Sequence, residues 1–419
     1  MKHSCLISLA LIMRDAAEDI LSCLESVAGA VDEMVIVDTG SHDDSVKIVR
    51  KFLRKWQGAA PGRRGKLYQI QWRDDFAWAK NQALARCHGQ WVIFLDSDES
   101  LSPDTREHLR PLVEALSRGT LPEGVTQVQI PGRENEDGLA DLVEFWRENV
   151  DLLGRPVQGE PDDLAVRLLR RQDDLRYRGE VHEQLVLSDG RQARIAVVEK
   201  SVLRILHTGY RPELKARKLA RNNEILLKEE REGGSTFLLE HYLSQLHLRR
   251  GEWRQAIECA RRSLSTTLPV HDPLAPYRTM YESYRELEKE ALRAAGLDLA
   301  EGEPLPEETA GENPHLQEAR ALRRQGEEVM AQGLSLRPDY PDFYYFLGGR
   351  QWNAGEKEKG KANLEKCLEL AEAFPRNHPE DDFHFAEILP QLRAALIQVY
   401  RETGEDEKAA HLSTLPPLE

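Results

Sequence analysis

The chain has 419 residues, room for two or three domains, and its 40% hydrophobic and 31% charged residues are an ordinary globular balance. A formal net charge of −15, from 57 basic and 72 acidic residues, leaves no dominant basic stripe and argues against a nucleic-acid partner. Cys5, Cys23, Cys87, Cys259 and Cys367 are odd in number and form no CxxC pair, which excludes a disulfide framework or cysteine zinc site and suits a reducing, cytoplasmic setting.

The opening MKHSCLISLALIMRD has a short apolar run, no small-residue cleavage site, and is closed by Arg14 and Asp15, so no signal peptide is expected. No stretch reaches the roughly 20 apolar residues of a membrane-spanning helix. Residues 5–13, CLISLALIM, predict a buried strand, and Ile20, Leu21, Leu24 and Val27 give residues 18–29 helical periodicity. A second strand, EMVIVDTG, ends in Asp38, Thr39 and Gly40. Residues 42–56 predict an amphipathic helix opened by capping residues. Residues 58–66, GAAPGRRGK, read as a surface loop, LYQIQW (67–72) as a strand, and FAWAKNQALARCHG (76–89) as a helix closed by Gly89. WVIFL, residues 91–95, is the third strongly buried strand. Strands alternating with helices predict a mostly parallel, doubly wound sheet, in which ligands gather beyond the carboxyl ends of the strands. Asp38 and the pair Asp96 and Asp98 stand at such ends.

After residue 212 the pattern becomes helical, giving expected domains of 1–212 and 213–419. Three segments share one register, with glycines at Gly251, Gly355 and Gly404 and a small residue five positions later, at Ala256, Gly360 and Ala409. That is the tetratricopeptide helix–turn–helix pattern, in which small residues let paired helices approach. Residues 296–314, acidic and rich in Pro and Gly, read as a loop between helices.

A helix cap or turn would explain one of the carboxylates in WVIFLDSDES, not two abutting a buried strand. Close like charges cost free energy unless a cation sits between them. Oxygen ligands there suit Mg²⁺ or Mn²⁺ holding phosphate oxygens. A carboxylate or histidine further on could also serve as a proton acceptor. RGEVHEQL offers Glu180, His182 and Glu183, with Glu180 and His182 on one face and Glu183 on the other if the segment is extended, and a turn near Gly179 able to break that count. Arg167 and Arg170 face a phosphate or acceptor, or pair with Asp173 and Asp174.

The ordered motifs ISLALIMRDAAEDILSCLESV, VDEMVIVDTGSHDDSVKIV, WRDDFAWAKNQAL and GQWVIFLDSDE, followed by VRLLRRQDDLRYRGEVHEQL and ILHTGY, resemble family 2 glycosyltransferases of the GT-A fold. The likeness is strongest to the bacterial branch with C-terminal tetratricopeptide repeats, and covers about residues 4 to 265. It implies a GT-A doubly wound mixed sheet followed by an all-α tetratricopeptide-like domain. It also implies an inverting, metal-dependent hexosyltransferase that uses a nucleotide-sugar, UDP-linked in the leading reading. Carried over, Asp98 and His207 ligate the metal, and Asp96 contacts the ribose or reaches the metal through water. Asp38 receives the nucleobase, with the backbone near Leu11 and Met13 lining the same pocket. Ser97, Asp75, Lys80 and Asn81 join the nucleotide-sugar contacts, although Lys80 stands where Arg is commoner. The base falls on Glu183, with His182 orienting it or binding the donor. Arg14, Asp15 and Ala16 depart from the family's Lys-Asn-Glu. The repeats imply a peptide or protein as acceptor or partner. The competing reading is a non-catalytic, nucleotide-binding repeat scaffold.

Overall fold

The computed structural model describes residues 5–127, 140–151, 154–157, 162–188, 193–209, 212–234, 236–264, 274–299, 303–306, 313–377 and 389–415. It divides into two compact units, residues 1–234 and 235–419.

The first unit opens with β1 (Ile7–Met13), α1 (Ile20–Val27), β2 (Glu33–Asp38), α2 (Ser45–Ala59), β3 (Arg64–Gln69), α3 (Phe76–Leu84) and β4 (Trp91–Phe94). These strands pair in parallel in the order β3-β2-β1-β4. The apolar runs of β1 and β4 are continuous because both faces are covered. Leu9, Leu11, Trp91 and Ile93 enter one core cluster, while Ala10, Ile12, Val92 and Phe94 enter the other. β3 begins three residues before the expected strand, at Arg64 paired with Glu33. An edge strand tolerates this polar start, since only one of its sides must pair. α3 stops before Gly89, which instead packs against β1: a Cβ there would lie 2.6 Å from the Ser8 backbone nitrogen.

The unit continues with β5 (Glu99–Leu101), α4 (Pro103–Arg118), β6 (Val125–Gln127), β7 (Leu142–Asn149), β8 (Asp163–Arg170), β9 (Leu175–Arg178), β10 (Gln184–Leu187), β11 (Ile195–Val198) and β12 (Arg204–His207). Among the described residues the main sheet has ten strands, ordered β3-β2-β1-β4-β8-β7-β11-β6, with β12 paired to β5 and β7. β8 is antiparallel to both β4 and β7, so the sheet is mixed, as the family resemblance implied. β1 lies between β2 and β4, and the crevice where connections diverge is the favoured ligand position in such sheets. The unit ends with α5 (Pro212–Arg231). The boundary expected at 212/213 thus moves to Gly234/Ser235, because α5 belongs to the first unit. No described helix is long and apolar enough to cross a membrane.

The second unit pairs α6 (Phe237–Arg249) with α7 (Trp253–Leu264), and α8 (Ala275–Ala294) with α9 (Pro314–Leu336). It then pairs α10 (Asp342–Asn353) with α11 (Lys357–Asn377), and α12 (Leu389–Glu402) with α13 (Asp406–Thr414). Gly251, Gly355 and Gly404 have φ of 72°, 85° and 77°, the left-handed conformation that ends a helix most cheaply at glycine. Of the acidic segment between α8 and α9, residues 300–302 and 307–312 lie outside the described residues. Leu297, Leu299 and Leu305 pack onto the helical core.

The small residues after the turns have the role their spacing indicates. A Cβ on Gly360 would lie 2.6 Å from the Trp352 backbone nitrogen, so α10 and α11 cross backbone to backbone. Gly349, on α10, has nothing within 4 Å of the same point. Alanine at these two helical positions should therefore act with opposite signs. Gly349→Ala gains about 0.5–1 kcal/mol of helix stability, whereas Gly360→Ala is overpacked and loses about 1–3 kcal/mol. Thermal unfolding of the two variants checks this, and a shift of the same sign in both would contradict the crossing.

Candidate active site

β4 ends at Phe94, and the chain turns through Asp96, Ser97 and Asp98 into β5. The turn is fastened by Glu99, whose backbone nitrogen donates to the Asp96 carbonyl at 3.0 Å and whose carboxylate accepts from the Asp96 nitrogen at 3.1 Å. β12 completes it from the other side. His207 is the register partner of Glu99 in β5 and of Asn149 in β7. Thr208 donates its backbone N–H to the Asp98 carbonyl at 2.9 Å. The D-S-D turn and the H-T-G segment, over a hundred residues apart, are thus laced into one corner.

In that corner Asp98 Oδ2 faces His207 Nε2 at 3.7 Å. His207 Nδ1 lies 2.9 Å from Asn149 Oδ1, a contact that turns the Nε2 edge of the ring toward Asp98. Gly209 keeps the space between them open. A Cβ at Gly209 would lie 2.3 Å from Asp98 Oδ2 and 2.3 Å from His207 Nε2. A side chain there would close the gap between that oxygen and nitrogen, whose 3.7 Å separation suits two bonds of roughly 2.0–2.6 Å to one divalent ion. The cradle fits such an ion. Tyr210, the last residue of the motif, lies outside the described residues.

The same cradle is touched by a cation of the chain itself. Lys218 Nζ, from α5, lies 2.7 Å from Asp98 Oδ2. Burial raises the Asp98 carboxyl, but His207 and Lys218 outweigh it and hold the group well below the usual carboxylate range.

Asp96 stands beside the cradle. Its oxygens face Lys80 Nζ at 3.7 Å and Arg167 Nη2 at 3.0 Å. Burial pushes its carboxyl up, and Lys80 and Arg167 overcome that to bring it to about 2. Arg167 also grips buried Glu99 at 2.6 Å, and Arg147 reaches Glu99 at 3.4 Å. Arg170 is exposed at the end of β8. The partners weighed for the arginines, Asp173 and Asp174, are thus replaced for Arg167 by the acidic turn itself.

Lys80, on α3, is 6% exposed. Its ammonium lies 2.5 Å from Glu183 Oε1 and about equally far from the rings of Phe94 (5.0 Å) and Tyr177 (5.3 Å). Burial alone would discharge it, but Asp96 and Glu183 keep it firmly protonated. Lys80 therefore bridges two carboxylates in this structure.

Residues 179–183 form the turn between β9 and β10, whose register pairs Arg178 with Gln184. Gly179 (φ 98°) and His182 (φ 53°) take left-handed backbone, so the two-face count for an extended segment does not apply. His182 is exposed, and Glu183 turns toward Lys80. Glu180 turns elsewhere: burial raises its carboxyl, as does the nearby Asp75. Glu229 on α5 shares that acidic spot and is pushed up to about 7 by burial and Glu180.

Several expected donor contacts have other work in this structure. Asp75 caps α3, accepting from Trp78 N at 2.7 Å, in the acidic spot around Glu180 rather than beside Asp96. Asn81 pairs its amide with both backbone groups of Tyr177, each at 2.9 Å, tying α3 to β9. Leu11 is fully buried in the core, with no surface for a ligand. Met13 ends β1 beside Asp38 and is 2% exposed. Asp38 is 1% exposed and accepts from Ser41 N and Gln69 Nε2. Ser97 lies in the turn between the two aspartates. Sequence reasoning missed Arg147, Asn149, Lys218 and Tyr177. The alternation of Arg147 and Asn149 in FWREN is the one local signal that could have flagged a polar pair on one strand face.

Residues 8–168 match the model of glycosyl transferase family 2. Those residues carry a family 2 glycosyltransferase domain. The chain is 33% identical over 174 residues to a TPR repeat-containing protein of Synechococcus elongatus, covering 41% of this chain and 39% of that one. It is 23% identical over 110 residues to the SPbeta prophage-derived glycosyltransferase SunS of Bacillus subtilis, covering 26% and 24%. The match thus spans less than half the length of either relative. Among solved structures, the mannosyltransferase PcManGT from Pyrobaculum calidifontis, in complex with GDP-Man and Mn²⁺, aligns over 87% of this chain and 88% of that one, with TM-score 0.37 and 14% identity.

Gly209→Ala tests the cradle of this glycosyltransferase domain directly. The methyl group would lie 2.3 Å from both Asp98 Oδ2 and His207 Nε2, so these two groups must shift to admit it. The variant should lose about 1–3 kcal/mol of stability and, at a temperature where it stays folded, at least tenfold in Mn²⁺ affinity by calorimetry, about 1.4 kcal/mol. Full retention of Mn²⁺ binding would place the metal elsewhere.

Proposed function

We propose that the protein transfers a hexosyl group with inversion from a nucleotide-sugar, UDP-linked in the preferred reading, to a peptide or protein acceptor. The observation that carries the reading is the adjacency of the cation cradle of Asp98, His207 and Gly209 to the Asp96–Lys80–Glu183 chain of charges at the carboxyl ends of the strands. One part suits a diphosphate and the other suits proton transfer. A bound Mn²⁺ or Mg²⁺ would be held by Asp98 and His207 and would neutralise charge on the departing diphosphate.

The chain's own groups supply the remainder. Asp96 is fixed by Arg167 and Lys80 beside the cradle, placed for a ribose hydroxyl or for a water on the ion. An acceptor hydroxyl or thiol attacks the anomeric carbon, the bond from that carbon to the diphosphate oxygen breaks with its electron pair, and the acceptor's proton passes to Glu183. As Glu183 becomes neutral, Lys80 retains Asp96 as its counter-ion, so the ammonium is never left unpaired in its buried site. Burial of Tyr177, which holds its phenol well above its ordinary value, keeps that ring a neutral wall of the pocket. The paired helices of the second unit supply the surface for a polypeptide acceptor.

Glu183→Gln separates transfer from binding. The amide keeps the shape of the side chain and touches no cradle ligand, so UDP should bind with unchanged affinity in saturating Mn²⁺. Transfer, or donor hydrolysis in the absence of acceptor, should fall about 10²–10⁴-fold. Transfer at the wild-type rate would remove Glu183 as the base. An absence of Mn²⁺-dependent hydrolysis in the wild-type chain would favour the non-catalytic scaffold.

A further inference from the structure

Asp98 Oδ2, the oxygen that a divalent ion in the cradle would take, already accepts from Lys218 Nζ at 2.7 Å and faces His207 Nε2 at 3.7 Å. An ion bound to that oxygen would stand beside the ammonium, and the two like charges repel. The lysine and the ion therefore compete for Asp98. Lys218 is 40% exposed on α5, and among the described residues it also donates to the Gly209 carbonyl at 3.5 Å. The long side chain can therefore swing off Asp98 without disturbing the core.

Its surroundings indicate where it goes. Arg221, one helical turn along α5, lies over the Phe76 ring at 4.7 Å, within the field of both Glu183 and Asp98. Arg217 and Arg14 are close enough that, after burial, their charges help to lower the Arg221 guanidinium. In a chain of net charge −15, this is a local concentration of cations beside the one carboxylate that an incoming metal would claim. A dianionic diphosphate is the complementary ligand.

We propose that Lys218 is a tethered cation that holds Asp98 in the donor-free protein, is displaced when a divalent metal enters the cradle, and then passes to the diphosphate that the metal brings. It serves first as a competitor of the metal and then as a ligand of the leaving group. The inference rests on the metal-dependent glycosyl-transfer reading, and it explains how a buried Asp98 can persist without metal. Metal alone binds against the ammonium, whereas metal with diphosphate binds with its help, so the two ligands are coupled.

Titration calorimetry on the full chain tests this with Mn²⁺ alone and with UDP in saturating Mn²⁺, for wild type, Lys218→Met and Lys218→Arg. If the ammonium holds Asp98 nine-tenths of the time, Lys218→Met binds Mn²⁺ alone about tenfold more tightly. The same variant binds UDP about tenfold more weakly, and Lys218→Arg stays close to wild type in both titrations. Mn²⁺ affinity that is unchanged or weaker in Lys218→Met overturns the competition. Tighter Mn²⁺ with unchanged UDP binding overturns the transfer to the diphosphate. A wild-type chain that binds neither Mn²⁺ nor UDP, nor GDP as a second nucleotide, defeats the underlying glycosyl-transfer reading instead, whatever the variants do.

Discussion

Four carboxylates, Asp96, Asp98, Glu99 and Glu183, converge on one corner at the carboxyl end of β4, and most of the surrounding architecture answers that single electrostatic problem. Charges this close stay ionised in a partly buried corner only if each has a cation. Arg147 and Arg167 come from β7 and β8, Lys80 from α3 and Lys218 from α5. The antiparallel strands β7 and β8 therefore do more than extend the sheet. They deliver the guanidinium groups that allow Glu99, 1% exposed, to floor the D-S-D turn. Removing one partner of such a network leaves the other charge buried and uncompensated, which is far costlier than losing a surface pair.

The arrangement also separates the two chemical tasks that the proposed reaction requires. Asp98 is paired with His207, whereas Asp96 is paired with Lys80, which also holds Glu183. Asp96 touches both sets through charge, which links the state of the leaving-group side to that of the proton-accepting side. Lys80 is where this linkage is most rigid: it is almost fully buried, walled by two aromatic rings, and balanced between two carboxylates. An arginine there would bring a larger planar fork into a space shaped for a compact ammonium.

Much of the first unit was legible because its signals are local. WVIFL and EMVIVD announce buried strands through continuous apolar runs, and two aspartates following such a run signal an unpaired charge problem at a strand end. The glycines at 251, 355 and 404 marked helix turns because a left-handed residue is required there and only glycine takes it at low cost. What escaped was tertiary. Asp75 and Asn81 lie in a motif that resembles a nucleotide contact, yet the first caps a helix and the second ties that helix to β9, which neither spacing nor composition reveals. Lys218 lies 120 residues from Asp98 on a helix with no distinctive pattern, so only the docking of α5 on the first unit shows it. The turn at Gly179 was foreseeable, but its result was not. His182 in a left-handed conformation sends Glu183 inward and Glu180 toward Asp75.

The central claim is that a divalent ion lies between Asp98 and His207, in the space that Gly209 keeps open. Anomalous scattering from a crystal grown with Mn²⁺ and UDP measures this most directly. The account predicts a single strong manganese peak about 2.0–2.3 Å from Asp98 Oδ2 and His207 Nε2, with Lys218 no longer in contact with Asp98. A manganese peak bound by Asp96 and Asp98 with His207 out of reach, or one elsewhere on the molecule, would contradict it.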